Sequence, residues 1–415
     1  MGKTTFVEIN ENQCCGCILC MKVCPTKAIR IRDGSARIEG VCINCLECMR
    51  VCPQKAIKPI TTETVSIGEG SVVCPSSVLY SQFGEEVLPN DILLGLKSMN
   101  FGYVHDLSYT NEVFNYATEL YIKDKRREPD PPFPIISPCC PVVVRLIAYR
   151  FPSLIDHILP LATPKEIAAR EARKRFSQKK GIPPEDISVI YVSPCPAMMI
   201  YISSEESNDK LVGINSIYSP LQKKIESLED DNVLHYSGGI GIAWSMSGGE
   251  TMTLKAKCIA VSGVHETIRY LQKIEMGLLK DVEYIEFRIC PEGCIGGPFT
   301  VEDKYIAKRI VQRLVWMFGM ERRIKYSYVA KLYKEGWFES SRRHSPISLP
   351  FHQMSISERF KRQKKVEEIL SMLPHTHCSL CGAPDCNTFA EDVADGKASI
   401  DNCIWMQEQK KRKKK

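Results

Sequence analysis

No stretch of this sequence offers the ~18 uninterrupted apolar residues of a membrane span. Its opening, MGKTTFVEINENQCC, lacks the apolar core of a secretory signal. The two absences lead us to expect a soluble, cytoplasmic chain, and they remove the usual setting for a disulfide framework. Charge of one sign is also scarce. The formal charge of +6 is matched by the six basic residues of the tail KKRKKK, Lys410–Lys415, so the rest is near neutral. A basic face fit for nucleic acid is therefore missing, and residues 409–415 read as a solvated, disordered tail. What the chain has in excess is cysteine, 20 in 415 residues. In a reducing compartment that density points to metal ligands.

A chain of this length suits two or three domains. Residues 1–65 hold nine of the cysteines; 66–345 read as an α/β body; 350–408 combine a charged helix, SISERFKRQKKVEEILSML, with a short cysteine-rich module. In the body, β-rich runs such as FPII, ISVIYV, CIAVSGV and VEYIEF alternate with helical patterns. One helix is signed at its start, where Thr163-Pro164-Lys165-Glu166 joins a capping box to proline at the first helical position, and its pattern runs to Gly181.

CCGCILCMKVCP and CINCLECMRVCP, residues 14–25 and 42–53, repeat the run C-x2-C-x2-C-x3-C-P. Cysteine at every third position wraps three thiolates round one corner of an iron-sulfur cube, and the fourth, before proline, serves the other cube. Zinc ligands come instead as separated pairs. The region resembles the two-cluster bacterial ferredoxins, an α+β fold. The resemblance implies that Cys14, Cys17, Cys20 and Cys52 hold one 4Fe-4S cluster and Cys42, Cys45, Cys48 and Cys24 the other. Near the other end, Cys378, Cys381, Cys386 and Cys403 resemble a small helical 4Fe-4S domain, with a four-cysteine zinc site as the alternative.

Three further cysteine loops each follow a strand of the body: PFPIISPCCP with Cys139 and Cys140, ISVIYVSPCP with Cys195, and RICPEGCIGGP with Cys290 and Cys294. Loops at the carboxyl ends of strands are where open α/β sheets gather their sites. Cys140, Cys195, Cys290 and Cys294 make four thiolates, enough for another cube. The loops, with VVCPSSV and GIAWSMSGG, resemble the iron-only, or [FeFe], hydrogenases over about residues 66 to 320. The resemblance implies a two-lobed α/β domain holding an H-cluster, in which these four cysteines carry a 4Fe-4S cube and Cys294 bridges to a two-iron subcluster with CO, cyanide and an azadithiolate. It implies Cys139 as proton carrier, Glu119 on an outer proton relay, and Cys74, Ser193, Met198, Trp244, Gly293, Gly296 and Gly297 around the cofactor. It implies H2 and protons as substrates, a ferredoxin-like redox partner, dedicated maturation proteins and an anaerobic host.

Several positions depart from the active members of that family. Both Ser137-Pro138 and Ser193-Pro194 are altered motif openings, Met198 stands where a lysine donates to cyanide, and Arg288 replaces a methionine. Tyr116 and Leu159 stand near two relay positions. Such changes resemble the divergent sensory type, so the expectation is a slow H2-converting redox or H2 sensor with a signalling partner protein. A housekeeping ferredoxin-linked hydrogenase and an iron-sulfur assembly factor without the two-iron unit are the alternatives. Arg288 is expected either to take over the cyanide or to pair with Glu286 or Glu292.

Overall fold

Strands here span two to six residues, and their pairing separates two kinds of sheet. The computed structural model describes residues 5–60, 68, 70–202, 208–229, 231–348 and 354–413. They fall into two units, Val7–Ile60 with Pro346–Lys415, and Thr61–Ser345 with Met1–Phe6.

In the first unit the pairs are antiparallel. β1 (Val7–Ile9) pairs with β4 (Ile57–Pro59), while β2 (Ile29–Arg32) and β3 (Ser35–Ile38) form a hairpin. Cysteines are interleaved with the apolar side chains of this module, whose core holds Met21, Ile29, Leu46 and Ile57. The cysteine-rich stretch from the far end of the chain docks on the hairpin. Ile31 donates its amide to Gly382 O at 2.9 Å, and Arg30 and Arg32 reach Asp392 at 2.6 and 2.8 Å. Gly382 is required at that contact, because a Cβ there would lie 2.2 Å from Ile31 O. The charged helix runs from Ile356 to Met372, capped by Ser355 and Glu358. Residues 404–413 are helical and Lys410 pairs with Asp401. Gln, Glu, Met and Lys are good helix formers, and propensity prevails there over charge repulsion.

The second unit is α/β with parallel pairing throughout its described strands. β5 (Ser71–Pro75), β6 (Tyr103–Val104), β8 (Ser188–Ser193) and β9 (Lys210–Gly213) form one sheet in the order β6-β5-β8-β9, and β7 (Ile135–Ile136) joins β10 (Cys258–Ser262) and β11 (Tyr284–Arg288) in the order β10-β11-β7. β5 and β11 are buried along their whole length; β5 reads as a near-continuous apolar run, while β11 carries Glu286 and Arg288 inside its buried stretch. The helix read from TPKE spans Pro164–Lys180, closed by Gly181 in the left-handed region. Its Ala168, Ala169 and Phe176 pack with Val72, Cys74, Val189 and Met198 in one apolar cluster.

Candidate metal centre

β7, β8 and β11 each run into a cysteine loop at their carboxyl end. The first two loops turn by the same device. Ser137 Oγ accepts the Cys139 amide at 3.3 Å and Ser193 Oγ accepts the Cys195 amide at 3.2 Å. A proline after each cysteine then starts a helix, Pro141–Arg150 or the single turn Pro196–Met198. Ser193 is thus committed to its own loop. The third loop is shaped by glycine. A Cβ on Gly293 would lie 2.4 Å from Ser247 N, one on Gly296 2.2 Å from Pro291 O, and one on Gly297 2.6 Å from Pro194 O. Those glycines make room for protein backbone, so loop interlock accounts for them without a bound ligand.

The loops bring Cys140, Cys195 and Cys294 into one electrostatic neighbourhood. Cys290 lies four residues before Cys294 on the same loop. Burial pushes the Cys195 thiol up to about 12, with Cys140 adding to the shift. Burial likewise raises Cys294, against the opposing influence of Arg288. Thiols massed in an apolar site are costly as bare thiolates, and an iron cluster is the kind of cation that ionises them together.

The other unit repeats this chemistry. Cys20 is pushed up to about 11 by burial and by Cys14, Cys17 and Cys52. Cys48 is pushed up to about 12 by burial and by Cys42, Cys24 and Cys20. Cys24, Cys42, Cys45 and Cys48 line one cavity, and Cys378, Cys381, Cys386 and Cys403 line another. Among the described residues no three His, Cys, Asp or Glu side chains are gathered tightly enough to grip a single ion. A cube carries its thiolates on separate iron corners, so the spread of these thiols suits it.

Beside the three loops lies a network that no sequence motif announces. Glu250 Oε2 accepts from Ser137 Oγ at 3.0 Å and from Arg288 Nη2 at 2.7 Å, and Tyr284 donates to Oε1. Glu286 accepts the amides of Gly248 and Glu250, each at 3.2 Å, and lies 3.3 Å from Arg288 Nε. Glu250, Glu286 and Arg288 are all buried. Burial raises Glu286 to about 7, with Arg288 opposing and Glu250 reinforcing the shift. Burial also holds the Cys139 thiol well above its ordinary value, with Glu250 adding to the shift and Arg288 and Ser137 opposing it. Arg288 is therefore tied to carboxylates, Glu286 among the partners expected and Glu250 unforeseen. Glu292 pairs instead with Lys308 at 2.6 Å. One hint was available: Glu286 is a charged residue inside the apolar run VEYIEF.

Glu119 accepts from Arg322 Nη1 at 2.8 Å and from the Lys255 amide at 3.0 Å. Tyr116 lies under the Arg322 guanidinium at 4.4 Å, and Leu159 is buried in the same apolar cluster. Cys74 and Met198 share the cluster under the Pro164–Lys180 helix, where the charges bearing on Cys74 are Asp209, Arg173 and Glu171. Trp244 is buried beside Arg288, 5.7 Å away, and its indole N–H has no hydrogen-bond partner among the described residues.

A family model described as "Iron only hydrogenase large subunit, C-terminal domain" matches residues 71–216 and 219–298, and an Fe-S cluster model matches 373–404. Iron hydrogenase 1 of Clostridium pasteurianum is 23% identical over 218 residues, 48% of this chain and 37% of that protein. The periplasmic [Fe] hydrogenase large subunit of Nitratidesulfovibrio vulgaris is 28% identical over 213 residues, 47% of this chain and 51% of that one. The chain thus spans about half or less of these two relatives. A solved [FeFe]-hydrogenase, studied for oxygen inactivation of its H cluster, shares the fold at TM-score 0.51 and 14% identity, covering 68% of this chain and 92% of that one.

Proposed function

The chain belongs to the iron-only hydrogenase large-subunit family, and from that premise we propose that it interconverts H2 with protons and electrons, slowly and in a redox- or H2-sensing role. Cys140, Cys195, Cys290 and Cys294 would hold the four-iron cube, and Cys294 would also tether the two-iron unit. When bound, that cofactor supplies an open iron and an electron sink for splitting H2. The remaining work belongs to the protein. Electrons would pass through three further clusters on Cys14, Cys17, Cys20 and Cys52, on Cys24, Cys42, Cys45 and Cys48, and on Cys378, Cys381, Cys386 and Cys403, to a ferredoxin-like partner.

The observation that carries this reading is the placement of Cys139. Its thiol lies next in sequence to the ligand Cys140 and within electrostatic reach of Glu250, and its raised proton affinity keeps it as S–H at neutral pH. From there a proton has polar neighbours in Ser137 and Glu250, and the Glu250 amide in turn donates to Glu286. The outer relay toward Glu119 is interrupted in this reading, as expected from Tyr116 and Leu159 at its relay positions, since Leu159 carries no proton and Glu119 is occupied by Arg322. A side-step through buried carboxylates supports slow rather than fast exchange.

The test uses protein matured anaerobically with its full complement of clusters. Metal-bound CO and cyanide bands in the infrared, with measurable H2 evolution from a low-potential donor, are expected. Cys139→Ala should keep the bands and lower the rate by roughly a hundredfold or more. Absence of CO and cyanide bands in the wild type would remove the hydrogenase reading and leave the assembly-factor one.

A further inference from the structure

We propose that Lys165, from the first turn of the Pro164–Lys180 helix, supplies the hydrogen-bond donor to a cyanide of the two-iron unit. This rests on the proposed function, and it concerns a residue that no cysteine motif contains.

Two side chains could have been expected to serve that ligand, and the geometry disfavours both, although Arg288 Nε has no hydrogen-bond partner among the described residues. Met198 has no N–H and is buried among Cys74, Ala168 and Ala169. Arg288 is held by Glu250 at 2.7 Å, with Glu286 3.3 Å from its Nε, so its charge is already offset. Lys165 differs from both. Among the described residues it has no hydrogen-bond or ion-pair partner, while the charged groups bearing on it are the thiols of Cys294, Cys195 and Cys139 and the guanidinium of Arg288. The relation is mutual, because Lys165 bears in turn on Cys195 and Cys294. A half-buried amino group in the electrostatic neighbourhood of thiols from all three loops, with no partner among the described residues, is placed for an anionic ligand bound among them.

The helix start is fixed rather than incidental. Thr163 donates its amide and its hydroxyl to Glu166 Oε2, each at 2.8 Å. Glu166 Oε1 pairs with Arg342 Nε at 2.8 Å, Arg342 stacks on the Tyr201 ring at 4.3 Å, and Tyr201 donates to Pro138 O at 3.2 Å. This chain of contacts joins the first helical turn to the loop that carries Cys139 and Cys140. Lys165 is thereby held in register with the thiols, as a positioned donor must be.

Protein produced with its four-iron clusters but without maturation proteins is titrated with a synthetic two-iron azadithiolate complex bearing CO and cyanide, then desalted. Iron retained and the cyanide stretching bands are read together. Lys165→Met should lower retention roughly tenfold to a hundredfold, the loss of one charge-assisted hydrogen bond, and shift a cyanide band, with four-iron content unchanged. Lys165→Arg should hold an intermediate amount, and Met198→Lys in the Lys165→Met background should restore the band. Unchanged bands and retention in Lys165→Met would overturn the assignment. So would a shifted band that accompanies loss of the four-iron cube in both Lys165 variants, which marks a structural role. A wild-type protein that takes up no complex would overturn the hydrogenase reading along with it.

Discussion

Glu286 carries the clearest consequence at the scale of a single residue. Its carboxyl is raised from 4.5 to about 7, first by burial and then by Glu250, with Arg288 opposing. Below pH 4.5 both folded and unfolded chains hold the proton, and the folded state bears no penalty. Between 4.5 and about 7 only the folded chain keeps it, so stability falls across that window and levels off above it, by up to about 3 kcal/mol. Glutamine at this position keeps a carbonyl for the Gly248 and Glu250 amides and cannot ionise. Thermal unfolding followed from pH 4.5 to 8 should therefore decline in the wild type and stay flatter in Glu286→Gln. An identical decline in both would place the titration elsewhere. This carboxylate was half-legible in the sequence: a glutamate inside VEYIEF is conspicuous, but nothing in a linear reading joins it to Glu250, 36 residues away. Lys165 was hidden for a related reason. It sits inside a capping box, where its neighbours explain the helix and draw attention away from its side chain.

Elements were legible where a local rule governs them. TPKE followed by Gly181 set both ends of the Pro164–Lys180 helix, because capping and the left-handed glycine act within a turn. The runs ISVIYV and CIAVSGV became β8 and β10; β8, buried over nearly its whole length, is a parallel strand that needs no alternation, while β10 lies at a sheet edge. The same capping box yields a prediction about how an element positions a side chain. Glu166→Ala removes the reciprocal cap and the Arg342 pair together. We expect a loss of about 1–2 kcal/mol in urea unfolding, and with it a lower retention of the two-iron complex than the stability change alone would produce. Thr163→Ser, which preserves the cap, should leave both near wild type.

For the whole molecule, the cysteine spacings outlined the modules, while the partnership of the two chain ends was invisible to them. The site of Cys378, Cys381, Cys386 and Cys403 belongs to a body whose core is shared out over helices 356–372 and 386–394, and that body is fastened to β2 by Arg30 and Arg32 on Asp392. Arg30 and Asp392 are both buried, so Asp392→Ala should cost about 3 kcal/mol or more by leaving the Arg30 guanidinium without its carboxylate, while Arg32 keeps Glu39. Limited proteolysis should then release the fragment containing residues 373–404 from protein that is otherwise intact. Equal resistance in the mutant would mean that the Ile31–Gly382 hydrogen bond and apolar packing hold the module unaided.

That fastening joins residues 362 apart in sequence, and it imposes an order in time. A ribosome delivers the chain from its amino end, so the hairpin bearing Arg30 and Arg32 emerges long before the segment that will neutralise it. For that interval the growing polypeptide shows Arg30 without its carboxylate, while Arg32 can pair with Glu39, and contacts of such long separation form last. The unit that pairs Arg30 with Asp392 is therefore completed only after the residues between them have been made, and its assembly has to tolerate, or wait for, that delay.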